Sequence, residues 1–303
     1  MTTPDLVSVI IPCYKQAHFL GAAIESALAQ SYAPVEIVVV DDGSPDNTSE
    51  VAARYPQVRC IRQENQGSSA ARNTGIRESN GSFLVFLDAD DKLLPHALET
   101  HLKCFQAHAD CVLVSGHYQM IAGDGSPLQT PAQPHVTGEH YARLLHSNYI
   151  GCPAIAMYRR AAFNAVGDFN TSLRAAEDYE MYLRVARKFP LYSHTEIVAE
   201  HRRHESNTSD NLALMEEYSV GVLRAEWEYV RGDKRLERAY RSGLRFKTRM
   251  YRREMLVEKL RQQARAGHWT QALPSMFKLL GNYPLAFAAH AGKILRNSVL
   301  RNQ

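Results

Sequence analysis

The chain has 303 residues, 45% of them hydrophobic and 22% charged, with a formal net charge of +3. Such a composition supplies enough apolar material for a sizeable globular core and excludes a disordered, collagen-like or disulfide-scaffold protein. The five cysteines (Cys13, Cys60, Cys104, Cys111, Cys152) are odd in number, scattered and without a CxxC pair, which fits a thiol-reducing compartment and speaks against structural zinc.

Charge is unevenly spread. From Asn211 to Gln303 there are 18 Lys and Arg against 8 Asp and Glu, so the first 210 residues are acidic and the remainder basic. Met1 to Asp5 shows no basic stretch followed by an apolar one, and no run approaches the roughly 20 apolar residues of a membrane-spanning helix. Val7 to Ile11 is only strand length, and Tyr283 to Leu295 is broken by His290, Gly292 and Lys293. The expected location is cytoplasmic.

In chain order, Val7–Ile11 is β-branched and nearly continuously apolar, as suits a strand buried on both faces of a parallel sheet. A helix follows over 18–31, with Leu20, Ile24, Ala27 and Leu28 at helical spacing. Val35–Val40 is a second strand, ending in Asp41-Asp42-Gly43-Ser44. Asp46, Asn47 and Thr48 can cap a helix over 49–55. A third strand over 58–63 leads through a loop to a helix over 70–78. Phe83–Leu87 is a fourth strand running into Asp88-Ala89-Asp90-Asp91. This alternation predicts a doubly wound α/β domain, whose ligands bind beyond the carboxyl ends of the strands. Both acidic clusters fall there.

Beyond Leu93, helix is expected over 96–108, strand over 111–115, loop over 123–138 and helix over 177–188. From Leu212 on the pattern is helical, with breaks near Gly232, Gly267 and Asn282. Two regions result: 1–211, and a basic helical region over 212–303.

Asp88 and Asp90, two residues apart at a strand end, would project to one face and could serve one ligand. Their hard oxygens suit Mg2+ or Mn2+ shared with phosphates, although acidic turn residues also cap helices. Asp91 would reach the same ligand only if a turn redirected it. Asp42 could accept from a ribose or base, or simply make a turn.

Read together, Val7-Ser-Val-Ile-Ile-Pro-Cys-Tyr14, Val38-Val-Val-Asp-Asp-Gly-Ser44, Gly67-Ser-Ser-Ala-Ala-Arg-Asn73 and Phe86-Leu-Asp-Ala-Asp-Asp91 resemble the nucleotide-binding half of glycosyltransferase family 2. Those enzymes are inverting and nucleotide-sugar-dependent, with the GT-A fold, a Rossmann-like, mostly parallel sheet flanked by helices. The resemblance covers about 7–211 and leaves the C-terminal α-helical extension unexplained.

The resemblance implies that Tyr14, beside Pro12, stacks on the base, that Asp42 bonds the base, and that Arg72 lies near base and ribose. It implies that Asp88 and Asp90 hold the ribose and a metal bridging the diphosphate. Asp90 and Asp91 are metal candidates, and which aspartate touches the ion stays open. Leu173 to Leu183 resembles the ED-like motif, which makes Asp178 the general base; read alone, Glu177, Asp178 and Glu180 are also the acidic first turn of a helix. His201-Arg-Arg-His204 resembles a basic family segment that assigns His204 to the diphosphate or metal, with Arg202 or Arg203 beside it. A solvated basic loop is the competing reading.

The implied activity is metal-dependent, inverting transfer from a nucleotide-sugar to an acceptor hydroxyl, in bacterial surface polysaccharide or glycolipid assembly. The tyrosine, aspartate and arginine resemble a uracil-binding set, with GDP- and dTDP-sugars left open. The acceptor is a saccharide or a lipid-linked chain. The alternative is a non-catalytic sugar-nucleotide-binding protein, against which an intact Asp178 argues. Pro12-Cys-Tyr-Lys15 lacks the GxGxxG cradle of a dinucleotide enzyme, and no nucleic-acid module is visible. The arginines of 224–265 suit contact with an anionic membrane surface, as they also suit a solvated helix face.

Overall fold

The computed structural model describes residues 5–288; the end of the basic region, 289–303, and residues 1–4 lie outside the described residues. One eight-stranded sheet organises the fold, in the order β3-β2-β1-β4-β7-β6-β8-β5. β1 (Val7–Cys13), β2 (Val35–Asp41), β3 (Val58–Arg62) and β4 (Phe83–Phe86) are parallel neighbours, as expected from their alternation with α1 (Ala17–Leu28), α2 (Thr48–Ala53) and α3 (Ser68–Glu78). Val7, Val9, Ile10 and Ile11 have no solvent exposure, the reason that β1 reads as unbroken apolar sequence.

Beyond β4 the sheet is mixed. β7 (Ala156–Arg159) runs antiparallel to both β4 and β6 (Leu113–Ala122). β8 (Leu191–Arg203) runs parallel to β6, and the short β5 (Lys92–Leu93) pairs antiparallel with β8. The mostly parallel expectation holds for one half of the sheet. Polar residues interrupt β8, so its sequence, Leu-Tyr-Ser-His-Thr-Glu-Ile, does not alternate cleanly and carries no plain strand signal.

α1 buries Leu20, Ala23, Ile24 and Ala27, one helical stripe, in the core. α3 lies on β1 so closely that a Cβ on Gly75 would come within 2.2 Å of Ile10 Cγ2, which only glycine permits. α4 (Ala97–Ala107), α5 (His140–His146), α6 (Arg160–Val166) and α7 (Glu177–Lys188) complete the layers, and 123–138 is a loop, as its composition predicts.

The basic region is helical: α8 (Leu212–Ala225), α9 (Trp227–Val230), the 32-residue α10 (Lys234–Arg265) and α11 (Trp269–Asn282). It does not stand apart. Val222, Leu223, Val230 and Tyr240 belong to the main hydrophobic core, whereas Val257, Leu260, Ala272 and Leu279 form a separate small one. α10 crosses α5 at Gly243, where a Cβ would sit 1.9 Å from Leu145 O.

Candidate active site

A cavity of about 830 Å³ opens beyond the carboxyl ends of β1, β2 and β4. Pro12, Tyr14, Asp42, Arg72, Asp88, Asp90 and Asp178 all line it. Tyr14 follows β1 on an exposed bend, 42% exposed, with Lys15 Nζ 5.0 Å from its ring centre.

The Asp41-Asp42 pair divides its work. Asp41 is fully buried and binds Ser44 N at 2.8 Å, Ser49 Oγ at 2.6 Å and Arg62 Nη1 at 2.5 Å, a tie within the turn. Asp42 reaches the cavity and accepts from Gln63 Nε2 (2.7 Å), Gln66 N (3.0 Å) and Gly67 N (2.8 Å), fixing the loop that enters α3. Asp46 accepts from Thr48 N at the start of α2 and from Ala17 N at the start of α1. The expected cap thus joins two helices.

Arg72 on α3 is 97% buried and donates through Nη2 to Asp88 (2.7 Å) and through Nη1 to Glu177 (2.6 Å). Burial alone would make it easier to deprotonate; Asp88 and Glu177 outweigh that and hold its pKa above the usual range. Ser68 Oγ donates to the same Glu177 oxygen at 2.8 Å. Both ends of the guanidinium fork are therefore committed to carboxylates. Burial works against ionisation of Glu177, yet Arg72 holds its pKa below the ordinary value.

β4 ends at Phe86, so Asp88 to Asp91 form a turn closed by Asp91 N donating to Asp88 O at 3.0 Å, not the strand end expected from the sequence. The turn separates the aspartates. Asp88 faces Arg72 and keeps a third of its side chain open; solvent there moderates the upward push of burial on its pKa, which Arg72 also opposes. Asp90 accepts from His204 Nε2 at 2.8 Å. Asp91, 1% exposed, meets His201 Nδ1 at 3.1 Å and accepts from Arg202 N at 2.8 Å.

His201 and His204 arrive on the end of β8 and the tight turn after it, in which His204 N donates to Asn207 Oδ1. The segment is not a solvated loop: Arg202 is 5% exposed and donates to Asp90 O, Ala122 O and Gly123 O. Arg203 pairs with Asp210. His201, which sequence reasoning gave no role, lines the cavity. Asp91, His201 and Cys152 each bring a ligand-type atom within 4.8 Å of the others. The carboxylate oxygens suit Mn2+ or Mg2+, and an imidazole beside them suits the softer Mn2+ better than Mg2+. Burial pushes the Cys152 thiol well up, so it stays neutral.

Asp178 stands in the first turn of α7. Ala176 before it has φ 59°, a left-handed backbone that costs a residue with a Cβ about 1 kcal/mol or more. The approach to α7 is pinned by Asn73, which exchanges two 2.9 Å bonds with the backbone of Phe169. Asp178 accepts from Tyr179 N at 2.7 Å and lines the cavity. Burial first, and then the Glu177 charge, push its pKa up to about 7.

Part of the cavity lining comes from the basic region. Met215 and Ser219 of α8, with Phe246, Lys247, Met250 and Tyr251 of α10, line the same cavity, as do Asn148, Gly151, Cys152 and Pro153. No sequence signal marks these helix residues, because a long basic helix does not disclose which turn faces a site.

Residues 8–167 match the family described as glycosyl transferase family 2. An uncharacterized glycosyltransferase of Rickettsia typhi is 32% identical over 232 residues, covering 72% of this chain and 71% of that one. Chondroitin synthase of Escherichia coli is 31% identical over 208 residues, 67% of this chain and 30% of that protein. In fold, S. aureus TarS 1–349 in complex with UDP-GlcNAc superposes with a TM-score of 0.62 at 19% identity, covering 78% of this chain and 71% of that one. A mannosyltransferase from Pyrobaculum calidifontis in complex with GDP-Man and Mn2+ gives 0.61 at 17% identity, covering 98% and 81%. The mixed sheet, the acidic turn at its edge and these likenesses agree: the chain belongs to glycosyl transferase family 2 and is a glycosyltransferase of the GT-A fold.

Proposed function

We propose that the protein transfers a glycosyl group from a UDP-sugar to a hydroxyl of a saccharide or lipid-linked acceptor, with inversion at the anomeric carbon. The observation that carries this reading is that one cavity joins Tyr14, Asp42, Asp88 and Asp90 to Asp178. Tyr14 offers an exposed ring on which a base can stack, and the carboxylates of Asp88 and Asp90 stand where a metal could bridge them to a diphosphate. Solved structures similar in fold hold UDP-GlcNAc in one case and GDP-Man in another, which supports a nucleotide-sugar donor. The chondroitin synthase likeness supports a role in polysaccharide assembly.

Asp178 removes the acceptor proton as the acceptor oxygen attacks the anomeric carbon. The bond from that carbon to the diphosphate oxygen breaks on the opposite face, and its electron pair leaves with the nucleotide. Arg72 keeps Glu177 ionised beside the base and orients Asp88. The metal ligands are drawn from Asp90, Asp91, His201 and His204. A bound Mn2+ or Mg2+ supplies charge neutralisation at the departing diphosphate.

Calorimetric titration of UDP, with and without Mn2+, on the wild type and Asp90→Ala tests the donor assignment. Metal-dependent binding that Asp90→Ala weakens is expected; binding of GDP or dTDP in place of UDP would reassign the base.

The proposal includes contact with a bilayer rich in anionic lipid. Trp269, Leu273, Phe277 and Leu280 lie on one exposed stripe of α11, while Ala272 and Leu279 bury the adjacent stripe. Beside it α10 carries 12 Lys and Arg against 3 Glu. No described helix is long and apolar enough to cross a membrane.

A further inference from the structure

α10 brings into the cavity one charge that, among the described residues, only the electrostatic pull of Asp178 answers, with no hydrogen bond or ion pair. Lys247 is 5% exposed and lines the cavity, yet among the described residues it has no hydrogen bond and no ion pair. Its one close polar contact is the ring of Tyr179, with Nζ 4.0 Å from the centre. A cation over an aromatic face recovers about 1–2 kcal/mol, less than the several kcal/mol that desolvating an ammonium ion costs, and Asp178, protonated up to about pH 7, offsets only part of the rest. A methionine would fill this position without that cost. Burial pushes the Lys247 pKa down to about 8, opposed by Asp178, so most of the charge persists at neutral pH.

Position decides what would answer the charge. Tyr179 follows Asp178 on α7, and Lys247 lies over the Tyr179 ring within reach of the Asp178 charge, which puts it at the general-base part of the cavity. In an inverting displacement the base stands on the acceptor side of the anomeric carbon, opposite the leaving group. Phe246, Met250 and Met215 give the cavity the apolar surface against which a sugar ring or prenyl chain packs.

We propose that Lys247 forms an acceptor subsite for an anionic group, a carboxylate or a phosphate, carried by the molecule whose hydroxyl Asp178 deprotonates. The inference rests on the transferase reading above and adds the charge class of the acceptor. It also gives the basic region a part in the active site, with α10 completing a cavity that the sheet leaves open.

The test titrates the full chain with methyl β-D-glucuronoside, glucose 6-phosphate and neutral methyl β-D-glucoside, each with and without UDP and Mn2+. The wild type is expected to bind at least one charged probe about tenfold tighter than the neutral one. Which probe gains distinguishes carboxylate from phosphate. Lys247→Met should erase the difference and Lys247→Arg restore it, with UDP affinity unchanged within about twofold. Lys247→Gln replaces the methionine variant if that variant does not fold. Equal binding of charged and neutral probes by the wild type, or a preference that survives in Lys247→Met, overturns the proposal. So does a loss of UDP affinity as large as the loss of saccharide. Failure of UDP to bind any form counts against the donor reading alone, since the saccharides are also titrated without nucleotide.

Discussion

Arg72, itself 3% exposed, is held between Asp88 and Glu177 at 2.7 and 2.6 Å, and only Asp88 keeps a third of its side chain open to solvent. Removing the cation leaves two carboxylates facing each other with only the open side of Asp88 hydrated. Arg72→Met should therefore destabilise the protein by about 3–5 kcal/mol, read as a lower urea midpoint at unchanged slope. Asp178 poses the opposite problem, a carboxyl that burial and Glu177 keep protonated up to about pH 7 rather than near 3.8. Between those values the folded state binds more protons than the unfolded one, so ionising Asp178 costs stability as pH rises from about 4 to about 7. Activity moves the other way, because the base must be ionised. Turnover is expected to rise through about pH 7, and Asp178→Asn should lower it by about 10³-fold. The same variant should melt close to the wild type at pH 4 and a few degrees above it at pH 8. A variant with normal turnover would remove Asp178 from the mechanism.

At the level of elements, the site depends on how closely two helices approach. Gly243 lets α10 touch the Leu145 carbonyl on α5, and Lys247 lies one turn further along the same helix. Gly243→Ala must push α10 outward. The expected cost is about 1–3 kcal/mol of stability, with acceptor turnover falling more than tenfold while UDP affinity, set on the sheet side, changes less than twofold. Parallel calorimetry and initial-rate measurements separate the two effects. The predicted helix over 177–188 matches α7 end to end, because its apolar stripe and acidic first turn are local signals. β8 is different: its partners β6 and β5 precede it by more than sixty residues, so the pairing that makes it a strand is absent from its own sequence.

At the scale of the molecule, an acidic sheet domain carries a basic helical arm whose last described helix is apolar over far more of its surface than α10 covers. Phe277 is 70% exposed on that stripe. Phe277→Glu should weaken binding to phosphatidylglycerol vesicles at least about tenfold, the equivalent of losing one buried aromatic side chain. Binding by the wild type should also weaken with added salt. Co-sedimentation with vesicles of neutral lipid provides the comparison, and equal binding to both compositions would exclude the electrostatic part.

The sequence by itself determined the parallel half of the sheet, the succession of its first four strands along the chain and the acidic positions at their ends. Each is a local pattern: a both-faces-buried run, a helical stripe, a polar turn. It also singled out Tyr14, Asp42, Asp88, Asp90 and Asp178, which the fold collects around one cavity although up to 164 positions separate them. Tertiary structure alone decided three things. The turn after Phe86 sends Asp91 to His201 and Asp90 to His204, since strand alternation stops where the strand stops. Arg72 is committed to two carboxylates because α3 and α7 converge on it from 105 residues apart. Finally, Lys247 faces the cavity because α10 crosses α5 at a glycine, and a packing angle between distant helices has no signature in the periodicity of either.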